Sequence, residues 1–201
     1  MLVRQNATQG DWSKNGEQIV FRDVTDGSIR IADFSGGNEM LIAADGENPA
    51  WSRNGKRIAY GVYNPGINGN AIFSAEFKKK KPVMVTQLTP WIADSYPAHP
   101  SWSNNSKDVV YASNAGMGEW EWQIWRASVK GAEPSVLVGT PENGEYDAAF
   151  SRDGRYVAYS GWGTADEPAG KGLDLTEAVD EIPSGFQLTQ HYPNPFNPTT
   201  T

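Results

Sequence analysis

The sequence predicts an all-β fold made of repeated four-stranded antiparallel units. Three observations carry that prediction. Four segments align without gaps: Asp11–Phe21, Ala50–Tyr60, Ser101–Tyr111 and Ala149–Tyr159. Their lead aromatics, Trp12, Trp51, Trp102 and Phe150, recur at steps of 39, 51 and 48 residues. The chain also holds 21 Gly, 13 Pro and 11% aromatics, the composition of short strands joined by tight turns rather than of long helices.

Each repeat opens with Trp or Phe, then Ser, any residue, Asn or Asp, and Gly or Ser. Two more residues lead into an apolar pair and an aromatic. Asn15–Gly16, Asn54–Gly55 and Asp153–Gly154 are hairpin dipeptides, because Asn, Asp and Gly tolerate positive φ. The third copy has Asn105–Ser106 at that place. The residues before and after the turn form two antiparallel strands, about residues 10–13 with 18–22 in the first copy. Ser13, Ser52, Ser103 and Ser151 stand where a hydroxyl caps the turn backbone.

A third strand follows in the first three copies: Ile29–Phe34, Ile72–Phe77 and Ile124–Val129, with alanine constant at 32, 75 and 127. A fourth apolar element lies near Met40–Ala43, Val83–Leu88 and Val136–Val138. The fourth copy shows its hairpin but no counterpart of the Ile-containing strand. Four short strands every 40–50 residues or so is the metric of a β-propeller blade. An open solenoid has a shorter period, and a sandwich need not repeat its sequence. Three units and a half are few for a closed ring of about 4–8 blades, so the chain reads as the C-terminal part of a longer protein, with Met1–Arg4 as an outer strand of a preceding unit. Its organisation is then a partial propeller over 1–162, an acidic Gly-rich linker over 163–185, in which Leu173–Val179 suits a turn or two of helix, and a separate terminal segment over 186–201.

The hairpin motif resembles the WD-repeat-like repeat of TolB-type propellers, whose form is close to P-x-W-S-P-D-G-K-x-I-A-Y/F. Pro49–Tyr60 matches it well, with Arg53 for the second proline and Asn54 for the aspartate. Such propellers serve as scaffolds that bind proteins or peptides, as the gating part of prolyl-oligopeptidase-like peptidases, and as polysaccharide lyases. The terminal segment resembles the opening of the C-terminal sorting domain of type IX secretion, F-x-L-x-Q-N-Y-P-N-P-F-N-P-x-T. Tyr192, Pro193, Asn194, Pro195, Phe196, Asn197 and Pro198 carry that match, with His191 in place of the usual Asn. Together the two resemblances imply a bacterial protein that is secreted, surface-attached or periplasmic, with the secretion machinery as a partner of the terminal segment.

Chemistry is sparse in the sequence. Cysteine is absent, and the two histidines are His99 and His191. Thiolate chemistry and Cys-based metal sites are thereby excluded, and no His-x-x-x-His or twelve-residue calcium loop occurs. No metal or cofactor is expected. Asp94, Ser95 and His99 are too close along one loop to fold into nucleophile, base and orienter, and no Gly-x-Ser-x-Gly elbow is present. No catalytic residue is expected in this chain.

A net charge of -7 argues against nucleic acid, no apolar run is long enough to span a bilayer, and Met1–Asp11 lacks the apolar stretch of a secretory signal. The most unusual segment is Gly116–Trp125. There Glu119 and Glu121 alternate with Trp120 and Trp122 if the segment is a strand. These four residues and His99 are the candidates for contact with a protein, peptide or glycan ligand; blade packing is the alternative use of the tryptophans.

Overall fold

The computed structural model describes residues 6–78, 81–115, 121–131, 133–139, 144–151, 153–161 and 172–174. Fifteen strands and no helix are formed among these residues, so none of them belongs to a helix long and apolar enough to cross a membrane. The first sheet is β1 (Ala7–Trp12), β2 (Gln18–Asp23), β3 (Ile29–Asp33) and β4 (Met40–Ala43). The second is β5 (Glu47–Trp51), β6 (Arg57–Asn64), β7 (Gly69–Lys78) and β8 (Lys81–Gln87). The third is β9 (Ala98–Trp102), β10 (Asp108–Ser113), β11 (Gln123–Ser128) and β12 (Ser135–Val138). The fourth holds β13 (Glu145–Phe150), β14 (Tyr156–Gly161) and β15 (Gly172–Asp174). Each sheet is a meander in chain order with every neighbour antiparallel. The first strands stand side by side in the order β1, β5, β9, β13, and form the inner edge of a blade arc.

β15 differs from the sequence expectation. Tyr156, Val157 and Ala158 of β14 pair with Asp174, Leu173 and Gly172. The fourth unit therefore has a third strand after a longer connection, and Leu173 and Asp174 are extended rather than helical. Pairing against an open edge of β14 outweighs the weak local preference for helix. The strand expected over Met1–Arg4 lies outside the described residues.

The hairpins show why the motif has its residue types. In every unit the serine hydroxyl donates to the Asn or Asp side chain two residues on, and accepts the N–H five residues on. For Ser52 these are Asn54 Oδ1 at 2.9 Å and Arg57 N at 2.8 Å; Ser13, Ser103 and Ser151 repeat both bonds. Only the residue after the Asn or Asp has positive φ: Gly16, Gly55, Ser106 and Gly154. Asn15, Asn54, Asn105 and Asp153 work instead through their side chains, accepting the N–H of the residue two positions on. The third turn tolerates Ser106 because its hydroxyl accepts Asn54 N–H of the preceding hairpin at 2.9 Å.

Three cores fill the spaces between successive sheets. Trp51, Ile58, Tyr60, Ala75 and Phe77 of the second sheet pack on Val20, Ile29, Ile31 and Ile42 of the first. Trp102, Val109, Tyr111 and Ala127 pack on Ala59, Ile72 and Leu88. Phe150 and Val157 pack on Val110, Ala112 and Ile124. Within each strand successive side chains alternate between the two neighbouring sheets, as Ile58 and Tyr60 face back while Ala59 faces forward, so each sheet offers an aromatic-rich face to its predecessor. The alanine column at 32, 75 and 127 is buried throughout, and at 75 and 127 it lies between sheets that a larger side chain would hold apart.

Candidate inner-strand trough

A break in pairing recurs at the same place on each inner strand. Register shifts fall between Thr8 and Asp11, between Glu47 and Ala50, opposite Val110–Ala112 on β9, and between Tyr146 and Ala149. The bulged residues are Gln9, Asn48, His99 and Asp147, each three positions before the lead aromatic. All four have left-handed backbone, with φ of 50°, 49°, 52° and 51°. Left-handed geometry is uncommon for residues other than glycine, and a bulge re-aims the side chain it carries. The outcome is four polar residues at equivalent sites along one wall.

That wall lines a trough of about 1170 Å³, which also takes in Asp11, Trp12, Lys14, Arg53 and Asn104. Polar bonds stitch the inner strands across it. Gln9 Oε1 accepts Asn48 N–H at 3.0 Å. Asp11 accepts Trp12 N–H with one oxygen and Trp51 N–H with the other, both at 2.8 Å. Trp102 Nε1 donates to Ala50 O at 3.0 Å, and His99 Nδ1 lies 3.2 Å from Asp147 Oδ1. The trough is thus built where inner strands meet, on a hydrogen-bonded frame.

Of the residues expected from sequence to contact a ligand, His99 stands in this trough, together with the repeat-motif residues Trp12, Trp51, Asn54 and Trp102. Asp94 and Ser95 do not join it: the Asp94 carboxylate accepts from Asn68, and the buried Ser95 hydroxyl faces Ser113 Oγ at 3.3 Å. Among the described residues no hydroxyl bonds to the His99 ring. Glu121 and Trp122 precede β11 as irregular chain, so the expected strand alternation begins only at Gln123. Trp122 is half-buried, tilted on Tyr146 with ring centroids 5.1 Å apart, and packed against the core that holds Ile124, Ala148 and Phe150. Glu119 and Trp120 lie outside the described residues, as does the whole 186–201 segment with its Tyr192–Pro198 motif. No group of three metal-ligating side chains occurs among the described residues.

Gln9, Asn48, Asp147 and Asp11 were not singled out by the sequence. Their signal was a column of Gln, Asn, His and Asp at a fixed distance before the aromatic. Its meaning depends on a bulge that no local pattern announces.

No protein-family model matches this sequence, and no curated protein matches it. Among solved structures the chain is similar to TolB-type propellers. It superposes on a protein described as TolB from Agrobacterium tumefaciens with a TM-score of 0.66 and 19% identity, covering 85% of this chain and 64% of that one. TolB from Acinetobacter baumannii gives a TM-score of 0.64 at 16% identity, over 86% of this chain and 42% of that one. A puromycin-hydrolyzing peptidase of Mycobacterium tuberculosis gives 0.61 at 16% identity, over 85% and 31%. The chain spans less than two thirds of the length of these structures. Identities this low show the fold alone: a partial β-propeller of TolB type.

Proposed function

We propose that this propeller is a non-enzymatic binding module of an exported bacterial protein, and that it holds an extended protein or peptide segment in the inner-strand trough. The observation that carries the reading is the recurrence of left-handed, polar Gln9, Asn48, His99 and Asp147 along one wall. Backbone strain repeated at four equivalent sites is retained where the side chains it aims have work to do. A rigid scaffold with polar groups converging on a concave surface is the general form of a binding site.

The likeness to peptidase propellers supports a second reading, in which the module filters substrates for a hydrolase domain elsewhere in the protein. The Tyr192–Pro198 motif supports export through type IX secretion, with the mature protein secreted or held at the cell surface; a periplasmic site is the alternative that goes with the TolB-like fold. Glycan contact through Glu119, Trp120, Glu121 and Trp122 is a further proposal, tested by a glycan array on the protein and on its Trp120→Ala/Trp122→Ala variant.

The trough is tested by selecting displayed peptides on the immobilised chain and repeating the binding with Trp12→Ala and His99→Ala. Selected peptides should lose at least about tenfold in affinity on either change. Peptides indifferent to both would place recognition elsewhere on the molecule.

A further inference from the structure

The charged groups of the trough are unevenly engaged. Asp11 spends both oxygens on backbone N–H groups of β1 and β5, and Asp147 faces His99. Lys14 and Arg53 differ: both are exposed, both line the trough, and the ion pairs among the described residues do not include either. They occupy the same position in successive units, two residues after Trp12 and Trp51. Asn104 is their counterpart in the third unit. Each inner strand runs from its bulge to its hairpin turn. The bulged residues therefore mark one end of the trough, and Lys14, Arg53 and Asn104 mark the other. Space above these turns is open, for a Cβ built on Gly16 or Gly55 would meet nothing within 4 Å.

We infer that the trough takes an acidic peptide segment, with its carboxylates at the Lys14–Arg53 end and its main chain along the bulged wall. The inference rests on the trough being the binding site. Two cations with no ion-pair partner among the described residues make the field positive at their end of the trough, which draws and orients an anionic ligand. A peptide suits the walls better than an acidic glycan does. Glycans need aromatic platforms for successive rings, and of the inner-strand aromatics only Trp12 is exposed; Trp51, Trp102 and Phe150 are turned into the cores. Side-chain amides, such as those of Asn48 and Asn104, match the donors and acceptors of a peptide main chain.

The experiment measures binding of a labelled peptide of alternating glycine and glutamate by fluorescence anisotropy. Its glutamine and lysine counterparts and an oligogalacturonate serve as comparisons. The glutamate peptide should bind at least about tenfold more tightly than the glutamine one and weaken as salt rises. Lys14→Glu and Arg53→Glu should each cost about tenfold or more, whereas Lys107→Glu, in the third hairpin and not lining the trough, should cost little. Both substituted residues are exposed, so thermal melts of the variants should match the parent.

Equal binding of the glutamate and glutamine peptides overturns the proposal, as does indifference to both charge reversals. Tighter binding of oligogalacturonate also overturns it. Peptides selected on the trough without enrichment in acidic residues would defeat this inference and leave the binding site standing. Selected peptides that ignore Trp12→Ala and His99→Ala would defeat the trough itself.

Discussion

At each hairpin one serine hydroxyl holds the turn closed, and Ser52 is the most deeply placed of the four. Ser52→Ala leaves Arg57 N–H without the hydroxyl it bonds and removes one of the two donors to Asn54 Oδ1, and should lower the unfolding free energy by about 1–2 kcal/mol in denaturant titrations. Asp153 adds a pH dependence. The Ser151 hydroxyl and Arg155 N–H hold its carboxyl below the ordinary value of 3.8. A depressed folded-state pKa contributes stability that is fully present above the ordinary value and is lost as pH falls through the folded one. Thermal melts taken between about pH 6 and about pH 2 should show Asp153→Asn losing less stability in acid than the parent does. Asparagine already serves at this place in the other three turns. His99 separates stability from binding. Glycine there relieves a left-handed backbone at the loss of an exposed His–Asp contact worth about 0–1 kcal/mol. His99→Gly should therefore melt at or above the parent temperature while trough binding falls.

The same sequence position means different things in different sheets. Trp51, Trp102 and Phe150 are 6%, 2% and 7% exposed, each against the preceding sheet, whereas Trp12 is 52% exposed. Phe34 follows it at 55%, while its counterpart Phe77 packs edge-on to Trp51 with centroids 5.2 Å apart. Trp102→Ala should cost about 3–5 kcal/mol and Trp12→Ala less than about 1 kcal/mol, within the range of surface changes. Paired denaturation curves check this, and equal costs would contradict the packing described. The strands themselves were legible in the sequence, because alternation, turn residues and the alanine column act locally and repeat. β15 was not legible: Gly172–Asp174 has no apolar pattern of its own and is a strand because β14 offers it an edge. The trough was half legible. His99 drew notice as a rare chemical type, while Gln9, Asn48 and Asp147 gain meaning only from their bulges.

Among the described residues, each interior sheet packs against a neighbouring sheet on both faces and each end sheet against one such neighbour. Amide exchange should therefore be slowest in β6 and β10, and fastest in β1 and β15. Stability in a stack of repeats is roughly a sum of unit and neighbour terms; uniform protection along the arc would mean that the four sheets open as one unit. The amino-acid sequence by itself determined the unit: four strands, a serine-capped turn, and an aromatic face paired with a small-residue column. These follow from φ preferences, side-chain hydrogen bonds and period-two burial, all within about a dozen residues. Tertiary structure decided what the units make together. It sets which tryptophan is core and which is surface, which loop residue becomes a strand, and where four bulges align into one trough. Those outcomes depend on the neighbouring sheet, and a neighbour some 50 residues away leaves no mark on local sequence pattern.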